Sequence, residues 1–200
     1  MKIAIIGGGI FGVTAAVILG SKHNVELFEK NNDILKSASG SNQFRVHRGY
    51  HYPRSTETVT GIIKSENSFK ELFSEAIITY YEHFYCISKR DSLTSSQQFV
   101  DFCTKYKLEI EKTELNCVNK DSIDLCLRVK ESVYDPKILR KISIDLLKKN
   151  NVKLHLNTKA TDNIFDRFDK IVVCTYANLN ELLERFPDSQ HEYQFELCEK

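Results

Sequence analysis

Lys2-Ile3-Ala4-Ile5-Ile6-Gly7-Gly8-Gly9-Ile10-Phe11-Gly12-Val13-Thr14-Ala15-Ala16-Val17-Ile18-Leu19-Gly20, followed shortly by Val25-Glu26-Leu27-Phe28-Glu29, is the stretch whose reading decides the fold. The apolar run Lys2 to Ile6 predicts a buried strand. Three glycines interrupt it, and Ile10 to Leu19 then predicts a helix that Gly20 stops. Val25 to Phe28 predicts a second strand, with Glu29 at its end. This strand–turn–helix–strand context is what a G-x-G-x-x-G pattern requires before it carries meaning.

Each position has a physical task. Gly7 permits a tight turn out of the strand, and Gly9 lets backbone approach a pyrophosphate. Gly12, with Ala16 one turn later, lets the helix lie close to the sheet. The helix start offers N–H groups and partial positive charge to phosphates. Glu29 stands where a carboxylate accepts hydrogen bonds from an adenosine ribose and repels a 2′-phosphate, which argues against NADP. The competing reading is a secretory signal: a basic Lys2 followed by an apolar core. Four glycines inside the run and the acid at Glu29 count against it and against a spanning helix.

At 200 residues the chain is long enough for an ordinary domain with a real core. A hydrophobic content of 42% with 28% charged residues places it among soluble globular proteins. The net charge of +1 gives no reason to expect a nucleic-acid or membrane-surface partner. Cys86, Cys103, Cys117, Cys126, Cys174 and Cys198 form no C-x-x-C pair, so neither a zinc site nor a disulfide scaffold is expected. Reduced, mostly buried thiols and a cytoplasmic location follow as expectations.

Beyond Glu29, Lys30 opens a polar connection, and Ser37 to Gln43 is small and hydroxyl-rich, as in a loop that turns or wraps a ligand. Phe44 to Arg54 is the most unusual stretch, holding three arginines, two histidines and two tyrosines. Alternation of Phe44, Val46 and Arg48 predicts extended backbone ended by Pro53. Ser55 caps a helix through about Leu72. Ile77 to Ser88 predicts one strand or a hairpin, and Ser95 to Tyr106 a helix with Phe99, Phe102, Cys103 and Tyr106 on one face. Leu108 to Val118 and Ile123 to Val133 predict further strands. Asp135 and Pro136 supply an N-cap and a first helical residue, opening a helix to Lys149 with Ile138, Leu139, Ile142, Leu146 and Leu147 as its buried stripe. Val152 to Leu156 and Asp169 to Thr175 predict strands, with a short helix then reaching about Arg185. Tyr193, Phe195 and Leu197 alternate like a strand. The expected fold is therefore α/β, with a β-rich segment inserted between two α/β ends.

On these residues the chain resembles the FAD-dependent oxidoreductases of the D-amino-acid oxidase superfamily. Gly7 to Glu29 is similar to their FAD-binding βαβ unit, and Ala38-Ser39-Gly40-Ser41-Asn42 to the loop leading from the flavin pyrophosphate toward the ring. Tyr134-Asp135-Pro136-Lys137-Ile138-Leu139 resembles their D-P-x-x-L helix opening. Leu154 to Thr161 resembles the return strand beside the adenosine, and Ile171 to Ala177 the strand that ends at the cofactor.

The resemblance implies a Rossmann-like FAD-binding domain with an inserted substrate-domain segment. The implied segments are 1–75 for the βαβ unit and flavin loop, 76–133 for a partial substrate domain, 134–186 for the return, and 187–200 for a strand into a further half. It assigns FAD to Gly7, Gly9, Ile10, Phe11, Gly12, Glu29, Lys30, Ser39, Gly40, Ser41, Asn42, Ala160 and Thr175. Relatives usually carry glycine near Thr175-Tyr176 and are nearly twice as long. A C-terminally truncated chain, with a complementary C-terminal chain as partner, is therefore also expected.

In a flavin oxidase the protein positions the reacting C–H bond and binds the substrate carboxylate. Arg45, Arg48 and Arg54 are candidates for that clamp because guanidinium offers a bidentate fork. His47 and His51 are candidate proton acceptors, or groups beside the flavin ring, because histidine as a residue type titrates near neutrality, with Tyr52 beside them. The alternative is that these arginines pair with acids and the histidines lie on the surface. Tyr80, Tyr81 and Tyr85 line either a cavity or a half-buried sheet. Lys148 and Lys149 read as a solvated helix end, and Cys174 as a core thiol. Three functions compete: an FAD enzyme acting on a C–N or C–O bond of a small amine, amino acid or hydroxy acid; an NAD-linked dehydrogenase; and a nucleotide-binding module without activity of its own.

Overall fold

A computed structural model describes residues 1–160, 162–184 and 193–194. In chain order the elements are β1 (Lys2–Ile6), α1 (Ile10–Gly20), β2 (Asn24–Phe28), β3 (Arg45–Val46), α2 (Thr56–Phe73), β4 (Ile77–Ile78), β5 (His83–Ser88) and α3 (Ser96–Lys105). They continue with β6 (Ile110–Lys112), β7 (Ile123–Val129), β8 (Ser132–Tyr134), α4 (Pro136–Lys149), β9 (Lys153–His155), α5 (Asp162–Phe165), β10 (Lys170–Val173) and α6 (Leu179–Leu183). The chain divides into two compact units, Met1–Asn42 with Arg140–Lys200, and Gln43–Leu139.

The first unit is the α/β part. Its sheet has the order β10-β1-β2-β9, with every neighbouring pair parallel. Numbered within this unit the order is 3-2-1-4, the half-Rossmann arrangement, in which the C-terminal end of the first strand lies where the winding reverses. The run Ile3 to Ile6 is buried on both faces, as a central parallel strand demands. Helix α1 turns Gly12, Val13, Ala16 and Val17 inward. Ala4, Ile6, Phe28, Ala160, Ile164 and Leu182 form one buried cluster.

The second unit is antiparallel. It holds one sheet of order β3-β8-β4 and another of order β5-β7-β6. Phe99, Phe102 and Cys103 of α3 pack with Ile87, Leu125, Leu127, Val129, Tyr50 and Val59. Helix α3 starts with a reciprocal capping box between Ser95 and Gln98, and α2 with the Ser55 side chain on the Thr58 amide.

The division falls at 42/43 and 139/140, whereas the sequence reading set it at 75/76 and 133/134. The reason is β8, which pairs with β3 on one side and β4 on the other and so draws the Arg45 region into the inserted unit. Ile77 to Ser88 is neither one strand nor a hairpin, because β4 and β5 belong to different sheets. Tyr80 and Tyr81 stand exposed between them. Within Leu108 to Val118 only β6 is strand, and within Phe44 to Arg54 only β3. The buried stripe of α4 is Leu139, Ser143 and Leu147, while Ile138 is exposed. Cys103 and Cys126 are buried, but Cys86 and Cys117 are exposed, which corrects the expectation of mostly buried thiols. Tyr193 is not in a strand, and Phe195, Leu197, Arg185, Thr161 and Cys198 lie outside the described residues.

Asp135 Oδ1 accepts from the amides of Lys137 at 2.7 Å and Ile138 at 3.0 Å, capping α4 as its sequence predicts. Asp135→Ala should cost about 1 kcal/mol. Urea unfolding checks this through a lower midpoint at unchanged slope.

Candidate functional site

The first unit builds its site at the C-terminal edge of its parallel sheet. The Gly7 amide donates to Phe28 O at 2.8 Å and the Cys174 amide to Ile6 O at 2.8 Å, so the ends of β1, β2 and β10 converge. Gly7 has φ of +107°, and a Cβ there would lie 2.4 Å from the Cys174 carbonyl oxygen. A Cβ on Gly12 would lie 1.8 Å from the Gly7 carbonyl oxygen. Both positions therefore exclude any side chain.

Gly9 is the N-cap of α1 and has no side chain to offer, and Ser39 Oγ accepts from the Ile10 amide at 3.0 Å. Phe11 is 79% exposed, so the start of the helix opens outward. Glu29 is buried. One of its carboxylate oxygens accepts from the Gly8 amide at 2.7 Å, and the other from the amide and side chain of Asn31 at 2.8 and 2.7 Å. Its backbone is tied to His155 O and to the Thr158 amide, each at 2.9 Å, which brings the end of β9 alongside.

The remaining sequence-selected residues of this unit fall into different settings. Lys30 Nζ donates to Asn178 Oδ1 at 3.0 Å. Gly40 lies so tightly against Leu35 that a Cβ would meet its carbonyl oxygen at 2.1 Å. Ser41 and Asn42 bond back to the carbonyls of Ser37 and Ala38. Ala160 is a core residue. Thr175 Oγ1 is buried and has no hydrogen-bond partner among the described residues. Tyr176 adopts φ of +51°, the region that favours glycine, and its side chain is 74% exposed. The ring turned outward leaves the end of β10 uncrowded by Tyr176.

These features fit a diphosphate-bearing ligand. The helix start, its Ile10 amide held by Ser39, directs further first-turn N–H groups outward, the buried Thr175 hydroxyl has no partner among the described residues, and a buried carboxylate stands nearby for hydroxyl donors.

In the second unit Glu131 is the hub, a residue that sequence reasoning missed. Its side chain is fully buried. It pairs with Arg45 Nη2, accepts from the Arg48 amide at 3.1 Å and from Tyr85 OH at 3.4 Å, and lies 3.6 Å from His47 Nδ1. Burial pushes its carboxyl up, but His47, the Arg48 amide and Arg45 outweigh that and hold it below its ordinary value. The Arg45 guanidinium also lies 4.9 Å from the centre of the Tyr85 ring. Arg48 Nε pairs with Glu66 at 3.1 Å. Arg45 and Arg48 are thus committed to acids, as the alternative reading had it.

His47 stacks on His51 at 5.5 Å, and Tyr52 meets both rings edge-on. His51, Arg54, Tyr50, Tyr85, Leu93 and Phe99 line a pocket of about 300 Å³. Tyr85 thus lines this pocket, and Tyr80 and Tyr81 are not among its lining residues.

Residues 2–194 match the family described as FAD dependent oxidoreductase, DAO. An FAD-dependent monooxygenase of Aspergillus flavus is 32% identical over 109 residues, 52% of this chain and 26% of that protein. Another of Fusarium mangiferae is 38% identical over 97 residues, 46% of this chain and 25% of that protein. Among solved structures, glycine oxidase from Bacillus cereus superposes with a TM-score of 0.70 at 16% identity, covering 92% of this chain and 58% of that one. FAD-bound L-alpha-glycerophosphate oxidase from Mycoplasma pneumoniae gives 0.63 at 18% identity, covering 80% and 45%. The chain spans about a quarter of the length of these curated relatives and about half that of these solved structures.

Because Glu131 has a depressed carboxyl, its stabilising contribution is complete above its ordinary value of 4.5 and is lost as pH falls through the lower folded value. Glu131→Gln leaves the partly buried Arg45 guanidinium without a counter-charge and should cost about 3 kcal/mol at neutral pH. Denaturant midpoints measured across the acid range should converge for the two proteins below that value.

Proposed function

Since the chain belongs to the FAD-dependent oxidoreductases of the DAO family, we propose that it binds FAD through its α/β unit and serves the oxidation of a C–N or C–O bond. The substrate would be a small amine, amino acid or hydroxy acid. The observation that carries this reading is the Gly7–Gly12 turn at the edge of the parallel sheet, with the buried Thr175 hydroxyl, unpaired among the described residues, beside it. Fold likeness to glycine oxidase supports the substrate class by analogy.

Bound FAD supplies the two-electron acceptor for the substrate's C–H bond. The backbone amides of Gly9, Ile10, Phe11 and Gly12 would hold the diphosphate, Gly7 keeping the turn out of the way. Glu29 would accept the ribose hydroxyls, exchanging bonds it now makes to Gly8 and Asn31. Lys30, Ser39, Gly40, Ser41, Asn42 and Ala160 would shape the remaining wall, and Thr175 would donate its hydroxyl proton.

On the substrate side, His47, His51 and Tyr52 are assigned to contact the substrate, an imidazole nitrogen taking up the proton that leaves the reacting amine or alcohol. Arg45 and Arg48 act as positioning residues, because Glu131 and Glu66 already engage them. Arg54 makes no ion pair among the described residues and lines the pocket with His51, which makes it the better-placed carboxylate clamp. A second reading, oxygen insertion, is favoured by the two monooxygenase relatives.

The purified chain should show flavin absorbance as isolated or after reconstitution with FAD. A colourless protein that cannot be reconstituted would overturn the reading. Incorporation of isotope-labelled dioxygen into product would select oxygen insertion over simple oxidation. Glu29→Gln removes one of two acceptor oxygens and should weaken FAD binding about tenfold or more. Quenching of flavin fluorescence on titration measures that loss.

A further inference from the structure

Cys86 and Cys126 are the two thiols that the function above leaves unused and that the fold brings together. They are register partners in the antiparallel β5–β7 pair, flanked by Tyr85 opposite Leu127 and Ile87 opposite Leu125. Their sulfurs lie 3.3 Å apart. Directly opposed residues of an antiparallel pair have Cα atoms about 4.5–5.5 Å apart, inside the disulfide window of about 4.4–6.8 Å. Reaching a bond length of about 2.05 Å therefore asks for side-chain rotation, with the ladder intact. The two thiols also differ in access: Cys86 is exposed and Cys126 is buried. Burial first, and then the hydrogen bond with Cys86, pushes the Cys126 thiol up to about 11, so it stays protonated in the resting protein.

We propose that Cys86 and Cys126 are a peroxide-responsive dithiol, which closes into a cross-strand disulfide between β5 and β7. Cys86 sulfur attacks the O–O bond of a hydroperoxide, becoming a sulfenic acid while the remaining oxygen leaves as alcohol or water. Cys126 sulfur then attacks the Cys86 sulfur, and the Cys126 proton leaves with the sulfenic hydroxyl as water. Two electrons pass from the thiol pair to the peroxide, and a dithiol reductant reverses the bond. Cys86 is the sensing thiol because peroxide reaches it, and Cys126 is the resolving thiol because it sits behind. Closure staples the edge strand to the central strand of its sheet. The stapled strand carries Tyr85, whose hydroxyl reaches Glu131 at 3.4 Å.

The test is peptide mapping of the purified chain after treatment with hydrogen peroxide and alkylation of the remaining thiols. The expected product is one peptide pair joining Cys86 to Cys126, lighter by two hydrogens, reversed by dithiothreitol and retained in Cys117→Ser. In Cys126→Ser the resolving thiol is gone, and a sulfenic-acid trap should label Cys86. Cys86→Ser, at an exposed position, should fold normally and form no bridge. Two results would overturn the proposal. One is equal loss of Cys86 and Cys117 alkylation without a Cys86–Cys126 bridge, and the other is a bridge from either residue to Cys117 instead.

Discussion

The first unit depends on one steric condition, that positions 7 and 12 carry nothing beyond Cα. The Gly7 carbonyl oxygen occupies the space a Cβ on residue 12 would need, and the Cys174 carbonyl occupies the space of one on residue 7. Backbone meets backbone where β1, α1 and β10 join. Because of this α1 can begin after only three intervening residues and direct its first amides past the edge of the sheet. The same closeness lets Glu29, at the end of the neighbouring strand, reach the Gly8 amide. A larger residue at either glycine would displace the helix start, and with it the first-turn amides and the Gly8–Glu29 bond.

The second unit is arranged around a charge instead of a gap. Glu131 sits out of water and gathers a guanidinium, a backbone amide, a phenol and an imidazole from segments 83 to 86 residues earlier in the chain and from β5. Buried ion pairs contribute little net stability against an apolar replacement, but they are costly to mispair. The arginine-rich stretch thus has one low-energy arrangement, with Arg45 laid over Tyr85 and the backbone at Arg48 pinned. The loop geometry of His47, His51 and Tyr52 follows from that anchoring.

How much of this could be read from the residues depends on whether the cause is local. The glycine turn, Glu29, the Ser55 cap and the Asp135-Pro136 opening are local, and each lies where the sequence predicts. Ile77 to Ser88 contains no glycine or proline to mark a break, so nothing local reveals that its two ends join different sheets. In α4 a small hydroxyl residue, Ser143, takes an inward position that hydrophobicity assigns to Ile138. Glu131 was illegible for the same reason: which acid answers Arg45 is decided by the β3–β8 pairing, a long-range fact. The Ser39 hydroxyl on the Ile10 amide is a capping bond made across 29 positions, which no local pattern reveals.

The parallel sheet also constrains the order in which the polypeptide can acquire structure. Strand β1 pairs with β10, and Ile3 stands opposite Lys170. Every pairing of the inserted unit, by contrast, lies inside the continuous segment from Gln43 to Leu139. On a ribosome the inserted unit can close its own ladders while β1 and β2 still await β9 and β10. The glycines of the β1–α1 turn, though synthesised first, are among the last to gain their full surroundings, since the long loop must close before its contacts are rewarded. An early-emerging β1–α1–β2 segment with its apolar faces uncovered is therefore the part of this chain most in need of protection during synthesis.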